Sequence, residues 1–210
     1  VVDANTGVVV DNWDRSTNTV FPVINNNVLW NLGQSAIKIS ELHRATVMNN
    51  IMNITGENYI YDLADTANLV ADYNALWLGT HGRVARRMQG GDRSRYPLVY
   101  ETVGAWATSS SNDLHSYDGD PLLVNPSNRI FHLKSRAGRW NPIAGSWTND
   151  AQTSPLIDMG EPSAKTWTNE PAPNGQRLNV GLYGGTSLAS KSETNSALCL
   201  LTLNHGGVVT

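Results

Sequence analysis

The chain carries a single cysteine, Cys199, in 210 residues, so neither an internal disulfide framework nor a cysteine-based zinc cluster can be built from it. Only 16% of the residues are charged and the formal net charge is -3, which leaves no basic face of the kind that binds nucleic acid or an anionic membrane. Long apolar runs are missing too: Ala197 to Leu203 falls far short of the roughly 20 residues that a membrane-spanning helix needs. No basic stretch followed by an apolar one opens the chain, and its first residue is Val1 rather than Met, so a processed form or a fragment is expected. What remains is a chain 40% apolar, enough to fill a core, and rich in Asn, Thr, Ser and Gly. That composition suits a secreted β-rich protein, and an extracellular or cell-surface location is expected.

Self-similarity comes next, because a missed repeat misassigns the whole fold. Ile24-Asn25-Asn26-Asn27-Val28 aligns with Val47-Met48-Asn49-Asn50-Ile51 at a spacing of 23, and Val70-Ala71-Asp72-Tyr73-Asn74 falls one step further on. Gly33, Gly56 and Gly79 keep the same interval. Within each unit, short aliphatic stretches such as Thr46 to Met48, Ser35 to Ile39 and Tyr59 to Tyr61 alternate with Asn and Gly corners, which predicts brief strands. Units of roughly 20 to 25 residues are single turns of an all-β parallel solenoid, in which equivalent side chains stack. Ile24, Val47 and Val70 are then expected to form an inward column. Asn26 with Asn49 and Asn27 with Asn50 would sit at a corner, where Asn tolerates left-handed backbone and can bond to the next copy. Gly33, Gly56 and Gly79 would mark a bend with positive φ.

The period fades after Gly79. Arg83, Arg86, Arg87, Arg93 and Arg95, with Gly90-Gly91, read as an irregular basic insertion spanning about residues 80–117, with a short helix near Pro97 to Thr108. Two further strands around Asn125-Pro126-Ser127-Asn128 predict that rungs resume over residues 118–134. The expected organisation is a β-helix over residues 1–190, followed at 191–210 by a capping strand, an assembly arm or the start of a further domain.

Ser154-Pro155-Leu156-Ile157-Asp158-Met159-Gly160 is followed by Pro173-Asn174-Gly175-Gln176-Arg177-Leu178-Asn179-Val180-Gly181-Leu182-Tyr183-Gly184-Gly185-Thr186 and then by Ala189-Ser190. These phrases resemble the closing turns of bacterial right-handed parallel β-helix proteins of the pectate-lyase-like superfamily. Gln176 stands where that pattern usually has a second Gly, and Leu182 where it has Ala. The resemblance implies the right-handed β-helix. It does not choose a chemistry, since lyases, hydrolases and adhesins share the architecture.

Candidate catalytic sets are sparse. Pectate lyases of the resembled superfamily bind Ca²⁺ through acidic residues on adjacent rungs; the nearest cluster here, Asp62, Asp65 and Asp72, is placed by the repeat at different points of the turn, and Asp118-Gly119-Asp120 is a tight turn with the same option. Lys38, His43 and Arg44 share one rung and suit a proton-abstracting base beside a neutralised carboxylate, or a solvated turn. The arginines from Arg83 to Arg95 suit the carboxylates of an acidic polysaccharide. Trp77, Trp106, Trp140, Trp147 and Trp167 suit either sugar stacking or packing over the last turns. His81, His115, His132 and His205 show no ligand spacing. The expectation is a non-catalytic extracellular module without a cofactor, supporting adhesion, carbohydrate contact or head-to-tail self-association into a filament. The alternative is a polysaccharide lyase or glycoside hydrolase.

Overall fold

A computed structural model describes residues 1–11, 21–89 and 96–194. Arg93, Arg95, Cys199, His205 and the segment from Ser196 to Thr210 lie outside the described residues. Ten short strands open the chain: β1 (Thr6–Val10), β2 (Val23–Asn25), β3 (Val28–Leu32), β4 (Ser35–Ile39), β5 (Arg44–Met48), β6 (Ile51–Ile54), β7 (Tyr59–Leu63), β8 (Asn68–Asp72), β9 (Ala75–Trp77) and β10 (Arg83–Arg87). They are dealt in rotation to three parallel sheets: β1-β4-β7-β10, β2-β5-β8 and β3-β6-β9. Each strand therefore pairs with the strand three further along, and the architecture is mostly parallel strands in stacked sheets, consistent with a β-helix-like solenoid.

The register corrects the expected ladder. Ile24 pairs with Val47 at an offset of 23, but Val47 pairs with Ala71, and Val70 lies opposite Thr46. Ile24, Val47 and Ala71 point into the core, whereas Val70 is only half-buried on the outward row. The cause is a longer turn at Thr55–Asn58, after which the offset is 24, as in Ser35 opposite Tyr59 and Tyr59 opposite Arg83. Strand β10 thus keeps the period beyond Gly79, so the excursion begins after Arg87 rather than at residue 80. Gly56 and Gly79 have φ of +64° and +60°, but Gly33 has no left-handed backbone, and the shared bend does not extend to it.

Asn26 and Asn49 do take the left-handed corner, at φ of 54° and 56°, with Tyr73 at 54° in the next rung. The following residues make a ladder: the Asn27 amide donates to Asn50 Oδ1 at 3.1 Å and the Asn50 amide to Asn74 Oδ1 at 3.1 Å. Such a ladder satisfies backbone groups that a sharp corner would orphan; Asn50 Nδ2 also reaches the Ile24 carbonyl at 2.8 Å. The ladder ends on Asp113, whose carboxylate receives Asn74 Nδ2, Tyr61 O–H, Ser116 O–H and Trp106 Nε1–H.

Asp113 belongs to the seal of the stack. Strand β11 (Leu98–Tyr100) runs antiparallel along β10, helix α1 (Val103–Ser110) follows, and β12 (Tyr117–Asp118) adds in parallel to β9. Thr102 caps α1 by accepting from the Ala105 N–H. Trp106, 1% exposed, drops into the core where the inward positions shrink to Ala71 and Ala85. The edge of β8 is closed by Asp113 N–H to the Ala71 carbonyl and by the Ala71 N–H to Asn112 Oδ1, both at 2.7 Å. Among the described residues, then, β10 and β9 are covered at this end by β11 and β12, and β8 is bonded at Ala71.

Rungs do not resume over residues 118–134. Instead β13 (Leu123–Asn125) and β14 (Ile130–Leu133) form an antiparallel hairpin around a 3₁₀ turn at Pro126–Asn128, and β15 (Arg139–Asn141) with β16 (Ser146–Thr148) forms a second. Together with the turns up to residue 194 these wrap the outer face of the third sheet. Val28, Trp30, Ile51 and Ala75 point outward and pack against Leu123, Phe131, Leu133, Leu156 and Val180. That sheet is apolar on both faces because both are buried. Gly181, at φ +97°, lets the wrap touch the sheet: a Cβ there would stand 2.6 Å from Ile51 Cδ1.

Candidate functional site

Of the candidate arginines, Arg83, Arg86 and Arg87 are described, and each has partners within the chain. Arg86 forms a two-pronged pair with Asp62 at 2.7 and 2.8 Å and lies 5.0 Å over the Tyr59 ring; the Asp62 hydrogen bonds push its pKa further up. Arg87 donates to the carbonyls of Asp65 and Ala67, and Arg83 stands 3.6 Å from Glu57 and 3.9 Å from Glu101. Lys38, Asp62 and Arg86 form one outward row of the first sheet, with the exposed Val99 beyond them.

The acidic and histidine candidates are dispersed by the same topology. Asp62 faces outward on the first sheet, Asp65 occupies a turn, and Asp72 lies on the second sheet. Lys38 is exposed, while His43 is buried with Nδ1 unpartnered and Arg44 is exposed at the start of β5. Asp120 Oδ1 accepts the Leu122 N–H at 2.8 Å, which explains Asp118-Gly119-Asp120 as a turn. Among the described residues no three His, Cys, Asp or Glu side chains converge as a metal site. His132 is buried and stacked on Tyr183 at 3.8 Å; burial, and then the charge of Arg139, lower its pKa to about 4.

One pairing was not legible in the sequence. Asp72 Oδ2 lies 2.7 Å from His115 Nδ1, while Asp72 Oδ1 accepts the N–H groups of Tyr73 and His115. The His115 side chain is 60% exposed and stacks on Tyr73 at 5.0 Å. Arg177 lies 5.6 Å over the same Tyr73 ring and donates to the carbonyls of Met159 and Gly160.

The phrases of residues 154–190 form a clasp. Glu170 Oε1 accepts the N–H groups of Asn179 at 2.9 Å and Gly185 at 2.7 Å. Asn179 in turn accepts from the Asp158 N–H and donates to the Ser190 carbonyl. The corner asparagines hold the clasp on the rungs: Asn26 Nδ2 donates to the Gly181 carbonyl at 3.1 Å, and Asn49 Oδ1 accepts the Glu161 N–H at 2.7 Å. Glu170 is 5% exposed with Oε2 unpartnered, and burial raises its pKa to about 7.

The tryptophans divide by role. Trp106 is core, Trp30 and Trp77 pack at 5.1 Å under the wrap, and Trp167 is half-buried in a 3₁₀ turn. Trp140 and Trp147 stand opposite each other on the β15–β16 hairpin, edge to face at 5.9 Å, and Trp147 is 37% exposed. The hairpin is rigid at its base, where the largely buried Arg139 pairs with Asp150 at 2.9 Å and Asp150 also accepts the Ser135 N–H. At its tip Asn141 Oδ1 accepts the Ile143 N–H at 3.0 Å, and Ile143 is 83% exposed.

A family model described as disaggregatase related matches residues 98–160, which hold the seal of the stack and both hairpins. No curated protein and no solved structure matches the chain.

Proposed function

We propose that the protein is an extracellular or cell-surface, polysaccharide-associated interaction module, carried on a right-handed parallel β-helix of the pectate-lyase-like type. The observation that carries this reading is the exposed tryptophan hairpin inside the segment that matches the disaggregatase-related family. Aromatic faces held on rigid elements bind sugar rings at little entropic cost. The remaining polar candidates support the same reading, because Arg86, Arg87, Asp113, Asn179 and Glu170 are occupied in holding rungs, seal and wrap together. The test is affinity electrophoresis of the chain through gels containing acidic and neutral polysaccharides. Retardation by at least one is expected; unchanged mobility in all of them sinks the reading.

An enzymatic reading, a polysaccharide lyase or glycoside hydrolase, is favoured by one feature, the Asp72–His115 pair. A carboxylate on Nδ1 leaves Nε2 of an exposed imidazole free to take up a proton. Chain shortening or unsaturated uronate formation that disappears in His115→Gln establishes it, and intact chains after prolonged incubation remove it.

A further inference from the structure

The aromatic hairpin faces a cation that comes from the far side of the sequence. Lys191 Nζ lies 4.4 Å over the Trp147 ring, and among the described residues no carboxylate pairs with it. The lysine's backbone is anchored at the base of the hairpin. Ser135 Oγ donates to the Lys191 carbonyl at 2.6 Å and accepts the N–H groups of Ala137 and Gly138, while the Lys191 N–H donates to the Gly138 carbonyl at 2.8 Å. Gly138, at φ +124°, lies beneath them: a Cβ there would stand 3.6 Å from the Lys191 side chain and 3.9 Å from the Trp147 ring.

We propose that Trp147 and Lys191 form a subsite for an anionic sugar unit, the ring stacking on the indole and its carboxylate or sulfate meeting the ammonium. The inference rests on the polysaccharide-associated reading and names its ligand class and place. Lys191 lies over one face of the indole, so the part of the ring left exposed, with the ammonium at its border, is complementary to a sugar that is apolar on its C–H face and charged at its edge. A neutral sugar satisfies the indole alone, and a small anion satisfies only the lysine.

The experiment measures binding of polygalacturonate, dextran sulfate and neutral dextran to the full chain by calorimetry and by tryptophan fluorescence, at low and high salt. The two anionic polymers separate carboxylate from sulfate. The expected result is at least tenfold tighter binding of one anionic polymer than of dextran, weakening with salt. Trp147→Ala should lose tenfold or more, Trp147→Tyr should recover part of it, and Lys191→Gln should bring anionic and neutral polymers level. Folding of each variant is checked by its thermal midpoint. Tyr59→Ala, on the outer face of the first sheet, serves as the separate control. If wild type binds while Trp147→Ala and Lys191→Gln bind equally well, the subsite is overturned and the module reading stands. If wild type binds none of the polymers, both fall.

Discussion

Glu170 and His132 are both buried beneath the wrap, and they titrate in opposite senses. Glu170 has a folded pKa of about 7, raised above its ordinary value of 4.5, so the stability it contributes is full below pH 4.5 and is lost as pH rises through 7. His132 is lowered from 6.5 to about 4, so its contribution is full above pH 6.5 and is lost as pH falls through 4. Between pH 4.5 and 6.5 these two contributions oppose each other. Urea unfolding of Glu170→Gln should show stability rising with pH across that window, and His132→Phe, which keeps a ring against Tyr183, should show it falling. Parallel slopes in the two variants would remove this account. Asn50 is the other strongly coupled residue, since it donates to Ile24 and Met48 carbonyls and to Asn74 and accepts from Asn27. Asn50→Ala should cost about 2 to 4 kcal/mol by orphaning several buried groups at once, measured by the same unfolding assay.

The seal made by β11, α1 and β12 determines whether the last rung is an end or an edge. Trp106 both fills the space above Ala71 and Ala85 and gives Asp113 one of its donors, which holds a carboxylate that burial pushes up in pKa. Trp106→Ala should cost about 3 to 5 kcal/mol, and the loosened seal should free the β10 edge, so concentration-dependent association in light scattering is expected alongside the lower midpoint. How far these elements were legible follows from their range. The corner Asn26 and Asn49 and the Asn27–Asn50 contact were readable because a 23-residue period repeats locally, whereas Asn74 was missed when a lengthened turn moved the next rung by one. The helix expected near Pro97 to Thr108 is there only in part: Leu98–Tyr100 is strand β11 and the helix runs over Val103–Ser110. Its function as a plug was not legible, because Trp106 meets Tyr61 from far along the chain. The closing phrases were recognisable as text, but their purpose needs contacts such as Asn49 with Glu161, 112 residues apart, for which no local pattern codes.

The molecule has two cores that share one sheet. Leu29, Met52 and Leu76 face the interior of the stack, and Val28, Ile51 and Ala75 face the wrap, so the third sheet is the common wall. The rungs are tied by backbone ladders and the Asn ladder, while the wrap is held by the second core, the two corner asparagines and the Glu170 clasp. These are separable sets of interactions, and the wrap should open without the rungs melting. Gly181 is the position that separates them. Gly181→Val places a branched side chain against Ile51 at a backbone angle that β-branched residues avoid, and should cost the wrap more than about 2 kcal/mol. The expected result is a red-shifted emission from Trp30 and Trp77, which pack under the wrap, with the far-ultraviolet signal of the rungs retained and denaturation split into two phases. A single transition in which both signals move together would show that wrap and stack fold as one unit. In the two-phase case, unfolding of the wrap also disperses Trp147 and Lys191, because both belong to it and Lys191 is tied to the hairpin base through Ser135 and Gly138. Glycan binding should then fall with the first phase, before any rung unfolds.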